Sequence, residues 1–546
     1  MIHRLGLQGD GFSAAAGPWD LCIVGAGAAG LALAAEFLGT SWRVIVVESG
    51  LRDPDALDAE LNTLSCEGLR HDGWREGRCR GLGGTTRAWG GQLVPMMSSE
   101  LQARSWVPDS GWPFDLDTLD PYYRRVEELL RTEGPPYDAH NFDRLRIPAP
   151  RFDPGEFRIR FSQWTALGRR NFAVLWRSQL ERSRNVCVIL DATAIAVHCA
   201  VSGKHCNCIE ARARSGAQVK IHARTFVLAC GGLETARLLL ASPLPAGGSA
   251  ANSSGLVGRY FQDHVSYMAG IIRPAQRRTV QGIFDPRYLG GTMFSMKVEP
   301  TDEAMQRNGW LHAMAHVAFQ IPDALGWMEV RRILRSLQAG RFEMPSFHEA
   351  LAMLRGGTDL MRLVISRALA NRRRSPDSGA ILLLVDCEQA PNPESRVYLD
   401  RSQDSDAFGM PRLRLDWRLT ELECRTLTGF ALRVAQEFER LGLAHIELAG
   451  DPDFGRRDSI GAARDIFHHM GTTRMSRTPA AGVTNSNLRC HDVDNLYIAG
   501  PSVFPASGVA NPTFTVLALA LRLADHLKDR QRRSREEPQP LVASAS

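Results

Sequence analysis

The sequence predicts an α/β protein of two interleaved domains, and three observations carry the prediction. The run Asp20 to Val24 (DLCIV) is short and apolar, stops at Gly25, and leads into a helix pattern, Ala29 to Leu38, and a second buried strand, Val44 to Val47. Two parallel strands need a crossover between them, so residues 20 to 48 read as a βαβ unit. Strand-then-helix patterns return far along the chain. They stand at Val186 to Leu190, at Thr225 to Ala229 leading through Gly231 and Gly232 into Leu233 to Ser242, and from Asn495 to Leu527. Finally, 546 residues are too many for one core, so the stretches between these returns are expected to build a second domain.

Those stretches have their own character. Pro108 to Pro150 is rich in Pro, Asp and Tyr around one helical pattern, Tyr122 to Thr132, which marks an excursion away from the first sheet. Residues 263 to 460 carry no nucleotide signature and include an Arg-rich helical segment, Asp323 to Arg374. Its alternation of Leu, Ile and Met with Arg reads as a solvated amphipathic cover, with a membrane-surface or partner-docking helix as the alternative. From Lys528 the chain reads as a polar, disordered tail. The expected division is 18–105, 183–262 and 462–528 for the first domain, 106–182 and 263–461 for the second, and 529–546 for the tail.

Composition excludes several classes. The hydrophobic share is 44% and the charged share 23%, and no apolar run approaches the roughly 20 residues that cross a bilayer, so no integral membrane segment is expected. A net charge of +5 on so large a surface is a weak field, which argues against nucleic acid. The 11 cysteines are scattered, and the nearest pair, Cys206 and Cys208, lacks the second half of a zinc site. A reducing compartment fits. The leading residues MIHRLGLQGDGFSAAAGPW have neither an apolar signal core nor twin arginines, so a cytoplasmic location is expected, with export beside a partner as the alternative.

In GAGAAG, Gly25, Gly27 and Gly30 match the dinucleotide fingerprint, in which the three glycines serve a tight turn, close backbone approach to a pyrophosphate, and packing of helix on strand. The amino end of the helix adds free N–H groups and a positive dipole end. Glu48 closes the second strand, where a carboxylate can accept ribose hydroxyls, so an unphosphorylated ribose is expected, in FAD or NAD.

Three more segments choose between them: RGLGGTTRAWGG (Arg80 to Gly91), FHHMGTTRM (Phe467 to Met475) and NLYIAGPSVFPASGVANPTFTVLALALRLADHL (Asn495 to Leu527). From about Asp20 to Leu527 the chain resembles the glucose-methanol-choline (GMC) oxidoreductases. The resemblance implies a discontinuous Rossmann-like FAD-binding domain and an α+β substrate-binding domain with an antiparallel sheet. Its activity would be oxidation of an alcohol to a carbonyl by hydride transfer to flavin N5. Asn511 in ANPT, where the fungal glucose oxidase branch has His, together with SGWPFD (Ser110 to Asp115) and EQAPNPESRVYLD (Glu388 to Asp400), looks like the bacterial sugar and polyol dehydrogenases and pyranose oxidase-like members. Relatives with covalent flavin carry His before the Trp of the second loop. Ala88 stands there instead, implying noncovalent FAD.

Alcohol oxidation needs a base at the hydroxyl and a hydride acceptor beside the carbon. By motif position His468, in H-x-x-G-T, matches the family's base and Asn511 its hydrogen-bonding partner. His469 is the rival for the role and is otherwise read as packed and hydrogen-bonded; His264, in GRYFQDH, is read as structural. Two adjacent histidines without a third ligand at suitable spacing make no metal site. Cofactor contacts are expected from Gly25, Gly27, Gly30, Glu48, Gly83, Gly84, Trp89, Gly91, Ala194, Gly231, Gly500 and Pro512; Pro512 stands near the first position of a helix whose free N–H groups face the flavin. The partners implied are a small alcohol, foremost a sugar, polyol or cyclitol, and an electron acceptor: oxygen, a quinone or a redox protein. The alternatives are oxidation of a hydrophobic or secondary-metabolite alcohol, a non-redox flavin lyase, an NAD-binding protein, and a subunit docked to a membrane electron-transfer complex.

Overall fold

Two large sheets, each assembled from distant parts of the chain, place the site between them. The structure is a computed structural model and describes residues 1–6, 18–321, 327–338, 344–348, 350–351, 357–402, 405–449 and 463–536. The first sheet runs in the order Ile2–Arg4, Val186–Leu190, Val44–Val47, Trp19–Val24, Gln218–Leu228, Cys206–Arg212, Thr193–Cys199, and Leu496–Ile498 pairs with Gln218–Leu228. The strand Gln218–Leu228 does double duty. Its first half is antiparallel to Cys206–Arg212, and its second half lies parallel to both Trp19–Val24 and Leu496–Ile498. Val24 lies opposite Val47 and Leu228, and Leu228 opposite Ile498, so four parallel strands end at one edge. Ligands of open α/β sheets bind at that carboxyl edge.

The second sheet is antiparallel, in the order Ala444–Leu448, Val265–Pro274, Ile381–Cys387, Ala313–Phe319, Thr292–Pro300, Phe157–Trp164, Gln92–Leu93. The helix Glu421–Arg440 covers it, burying Leu427, Phe430, Ala431, Val434 and Phe438 at helical spacing. Thr420 and Glu423 form its capping box. A third, three-stranded sheet joins the two regions: Leu64–Gly68 lies parallel to Arg412–Trp417, which is antiparallel to Arg396–Asp400. Glu67 accepts from Tyr398 and Arg414 across this clasp.

The observed boundaries differ from the expected ones in four places. Ile2–Arg4 is an edge strand of the first sheet, although the first domain was expected to begin at residue 18; three residues leave no readable periodicity, and the pairing comes from Val186–Leu190. Gln92–Leu93 and Arg464–Asp465, both expected in the first domain, pair into the second sheet. The last helix, Pro512–Glu536, runs on past Lys528 into the segment expected to be disordered. There Arg530 donates to the Tyr497 hydroxyl and the Asp494 carbonyl, and Arg532 pairs with Asp529, so polar anchors continue what the apolar face began. The expected cover at 323–374 lies partly outside the described residues; within them are the helices Trp327–Gln338 and Gly357–Ala370, with Leu334, Leu337, Met361, Ile365 and Leu369 exposed. Among the described residues no helix is long and apolar enough to cross a membrane.

Candidate active site

The turn after Trp19–Val24 opens a cleft at the carboxyl edge of the first sheet. Gly25 has φ +105°, and a Cβ there would stand 2.5 Å from the Ala229 carbonyl oxygen. A Cβ on Gly30 would collide with the Gly25 carbonyl. Gly27 differs: no atom of the described residues, its chain neighbours and own helix backbone aside, lies within 4 Å of where its Cβ would be, and it faces the cleft. Gly231 and Gly500 face the same open space. Gly84 reaches back to the first turn, its Cβ position 2.8 Å from the Gly27 Cα. Glu48 ties the pieces together, accepting from the backbone N–H of Ala26 at 2.8 Å on one oxygen and from Gly50 and Gly81 at 3.0 and 2.9 Å on the other. Burial raises its pKa against those three donors and Arg80. The oxygen bonded to Ala26 keeps the freer lone pair.

Of the residues expected at the cofactor, Gly25, Gly27, Glu48, Gly84, Ala194, Gly231, Gly500 and Pro512 line this cleft. The others turn toward protein. Gly30 packs on Gly25, Gly83 on Asn171 and Gly91 on Arg170. The indole N–H of Trp89 donates to the Arg170 carbonyl at 2.8 Å, with the ring edge-on to Phe172. Gln338, from the helix Trp327–Gln338, donates to the Trp89 carbonyl at 2.8 Å. The cleft also holds a buried ion network that the motif reading missed: Glu234 pairs with Arg78 at 2.8 Å and Arg80 at 2.9 Å, and Arg237 with Asp406 at 2.8 Å. Burial opposes the Glu234 charge, but Arg80, Arg237 and Arg78 outweigh it and hold the carboxyl well below the usual range.

His468 lies where this cleft meets a second cavity of about 460 Å³, and it lines both. Asn511 lines the second cavity, immediately before Pro512 at the start of the last helix. The Asn511 Oδ1 is buried and has no hydrogen-bond partner among the described residues. His264, read as structural, is in the cavity wall: its Nδ1 stands 2.9 Å from His468 Nδ1, and its Nε2 has no hydrogen-bond partner among the described residues. Burial, then the charge of His264, lowers the His468 pKa to about 3, so its imidazole is neutral. His469 is packed as expected, against His71 and Phe261, but its buried Nε2 lacks a hydrogen-bond partner among the described residues. His469 lines the cofactor cleft, and its ionisable neighbours His71 and Asp263 are bonded to each other.

Two buried carboxylates hold these loops. Asp263 Oδ1 accepts from the backbone N–H of His468 at 2.9 Å, and its Oδ2 meets His71 Nε2 at 3.1 Å. Burial disfavours its charge, but the His71 bond and the neighbouring histidines bring its pKa down to about 2. His71, Asp263 and His469 bring ligand atoms within 4.8 Å of one another, a set in which His71 Nε2 is already engaged by Asp263. Glu100 Oε1 accepts from Val509 and Ala510 at 2.7 and 3.0 Å, fixing the turn that ends in Asn511. Between Asp465 and His468, Phe467 adopts φ +73°, a left-handed conformation uncommon outside glycine.

Residues 391–520 match the GMC oxidoreductase family. The chain is 26% identical to paromamine 6'-oxidase of Streptomyces fradiae, over 93% of this chain and 90% of that protein. It is 25% identical to 2-methyl-1,2-propanediol dehydrogenase of Mycolicibacterium austroafricanum, over 77% and 75%. Its fold is similar to that of formate oxidase from Aspergillus oryzae, with a TM-score of 0.57, 16% identity, and coverage of 95% of this chain and 100% of that one. These likenesses point to a GMC oxidoreductase.

GMC oxidoreductases are FAD-dependent enzymes acting on CH–OH donors, and the cleft of this one fits the cofactor. Gly25 and Gly30 are required by the protein's own packing, whereas a Cβ on Gly27 would meet nothing among the described residues; backbone left bare beside a helix amino end is what a pyrophosphate needs.

Proposed function

We propose that this GMC oxidoreductase oxidises a hydroxyl of a sugar, polyol or cyclitol to a carbonyl, with His468 as base and Asn511 as the partner that orients the substrate oxygen. The observation that carries the reading is the place of His468 at the junction of the cofactor cleft and the second cavity. Bound FAD supplies the hydride acceptor at its N5. The chain supplies the proton acceptor. In the close Nδ1–Nδ1 pair, one nitrogen must donate; with the hydrogen on His468 Nδ1, its Nε2 carries a free lone pair for the substrate hydroxyl. His264 then carries its own hydrogen on Nε2, the atom that lacks a protein partner among the described residues.

Gly25, Gly27, Gly84, Gly231 and Gly500 would present backbone to the FAD, Glu48 and Ala194 would hold its nucleoside end, and Pro512 starts the helix that would face the flavin. Gly30, Gly83, Trp89 and Gly91 shape the loops behind them. Ala88, next to Trp89, offers no nucleophile, which supports noncovalent FAD. The named activities of the similar proteins, on paromamine and on a diol, agree with a hydroxyl-rich substrate. An acceptor of the oxygen, quinone or redox-protein class completes turnover.

Anaerobic reduction of the purified holoenzyme tests this reading. A polyol or sugar from a panel should bleach the flavin, and His468→Ala should slow that reduction by roughly 100- to 10,000-fold. Equal rates in the two proteins would remove His468 from the mechanism, and a purified chain without FAD would remove the whole proposal.

A further inference from the structure

One wall of the second cavity is a face of the antiparallel sheet, and three neighbouring strands each place one ionisable side chain on it. Val298 lies opposite Ala315, which sets Lys297 across from His316; Met314 lies opposite Asp386, which sets Asp386 diagonal to His316 on the same face. All three line the cavity that His468 and Asn511 also line. Each interrupts an apolar strand: Lys297 in TMFSMKVEP, His316 in AMAHVAF and Asp386 in ILLLVDC.

Lys297 and Asp386 are buried and His316 is half-buried in a close pair with Asp386, and each residue keeps hydrogen-bonding capacity that the described residues leave unused. Lys297 is 7% exposed and forms no hydrogen bond among the described residues. Asp386 Oδ1 and His316 Nδ1 are also without hydrogen-bond partners among them, and the nearest approach between the two residues is 3.5 Å. A donor-only ammonium, an imidazole and an acceptor-only carboxylate in a row complement hydroxyl groups, each of which donates one hydrogen bond and accepts two. Lysine and aspartate together also leave the row without net charge.

We propose that Lys297, His316 and Asp386 form a subsite that binds a further hydroxyl of the substrate whose first hydroxyl is oxidised at His468. The inference rests on the alcohol-oxidation reading and narrows it: the substrate is a polyhydroxy compound, and a monohydric alcohol leaves the row unpaired. A site built to bond a hydroxyl discriminates strongly against an analogue lacking it, because its own buried groups then go without partners.

The test is stopped-flow anaerobic reduction of FAD-loaded wild type, Lys297→Met and Asp386→Asn, each with the best polyol of a panel and with 1-propanol. Each substitution should raise the apparent Kd for the polyol at least about tenfold, with a smaller change in limiting rate, and the loss for 1-propanol should be several-fold smaller. Equal losses for both substrates would overturn the subsite, as would unchanged polyol binding in both variants. FAD content is measured first; loss of FAD from both variants, including the isosteric Asp386→Asn, would assign the row to the fold and overturn the proposal. Wild type reduced by 1-propanol but by no polyol would sink the subsite and leave the oxidoreductase reading intact. Wild type reduced by no alcohol would sink that reading itself.

Discussion

The Gly25–Gly30 turn and the loop carrying His468 face the same cleft and are held in opposite ways. The turn is held by backbone packing: Gly30 packs on Gly25 within the turn, and Gly25 on the Ala229 carbonyl at the end of the adjoining strand. The His468 loop is held from afar, by a carboxylate 205 residues away in sequence, and the Asn511 turn by one 409 residues from Val509. The demand for glycine in the turn is therefore legible in its own motif, whereas the aim of His468 and Asn511 is a property of the assembled fold.

The largest expected effect separates folding from cofactor binding inside the turn. Gly30→Ala drives a methyl into the Gly25 carbonyl and should cost more than the roughly 1–3 kcal/mol of an ordinary overpacked site, leaving little folded protein. Gly27→Ala meets no protein atom, so its apoprotein should melt like wild type while FAD titration shows weakened binding. Equal melting of the two apoproteins would erase the distinction.

Next comes the long-range anchor. Asp263→Asn removes the charge that His71 and the His468 backbone engage, with an expected cost of about 1.5–3 kcal/mol in denaturant melts. Slower flavin reduction at unchanged FAD content is the second expected sign.

The neutral His468 gives a smaller, pH-dependent effect. An unfolded histidine takes a proton near 6.5, while the folded one resists it down to about 3, chiefly through burial and then through His264. Stability is thus lost as pH falls below about 6.5, and His468 contributes no slope above it. Between pH 6.5 and 5, wild type should lose about 1–2 kcal/mol more than His468→Gln in urea melts, the lower figure reflecting the open cavities beside the ring. Smallest is Glu100→Gln. It replaces one acceptor oxygen by a donor and should cost about 1 kcal/mol, with reduction slowed more than FAD binding is weakened.

The same contrast explains what could be read from the chain beforehand. The strands Val44–Val47 and Val186–Leu190 stand where their apolar runs place them, and the helix after Gly27 begins where the glycine fingerprint requires. These are signals within a few residues. Ile2–Arg4 was not legible because an edge strand of three residues carries no period, and the helix past Lys528 because its support comes from Tyr497 and Asp494 in another element. Glu100 and Asp263 look like ordinary surface acids until the fold buries them. Lys297 and Asp386 did leave a trace, charges inside otherwise apolar strands, but only the sheet register brings them to one wall.

The three-stranded clasp has a consequence for product identity. Five consecutive register pairs between Leu64–Gly68 and Arg412–Trp417 tie a strand from each region into the three-stranded sheet. A hinge at that seam would have to break the ladder, so the span from His468 to the far wall of the cavity behaves as a rigid ruler. Under the role proposed for His468, regioselectivity would belong to the substrate's own dimensions: the carbon oxidised would be the one that reaches His468 when the rest of the molecule is seated, and lengthening or shortening a polyol by one carbon should change the product's position as well as the rate.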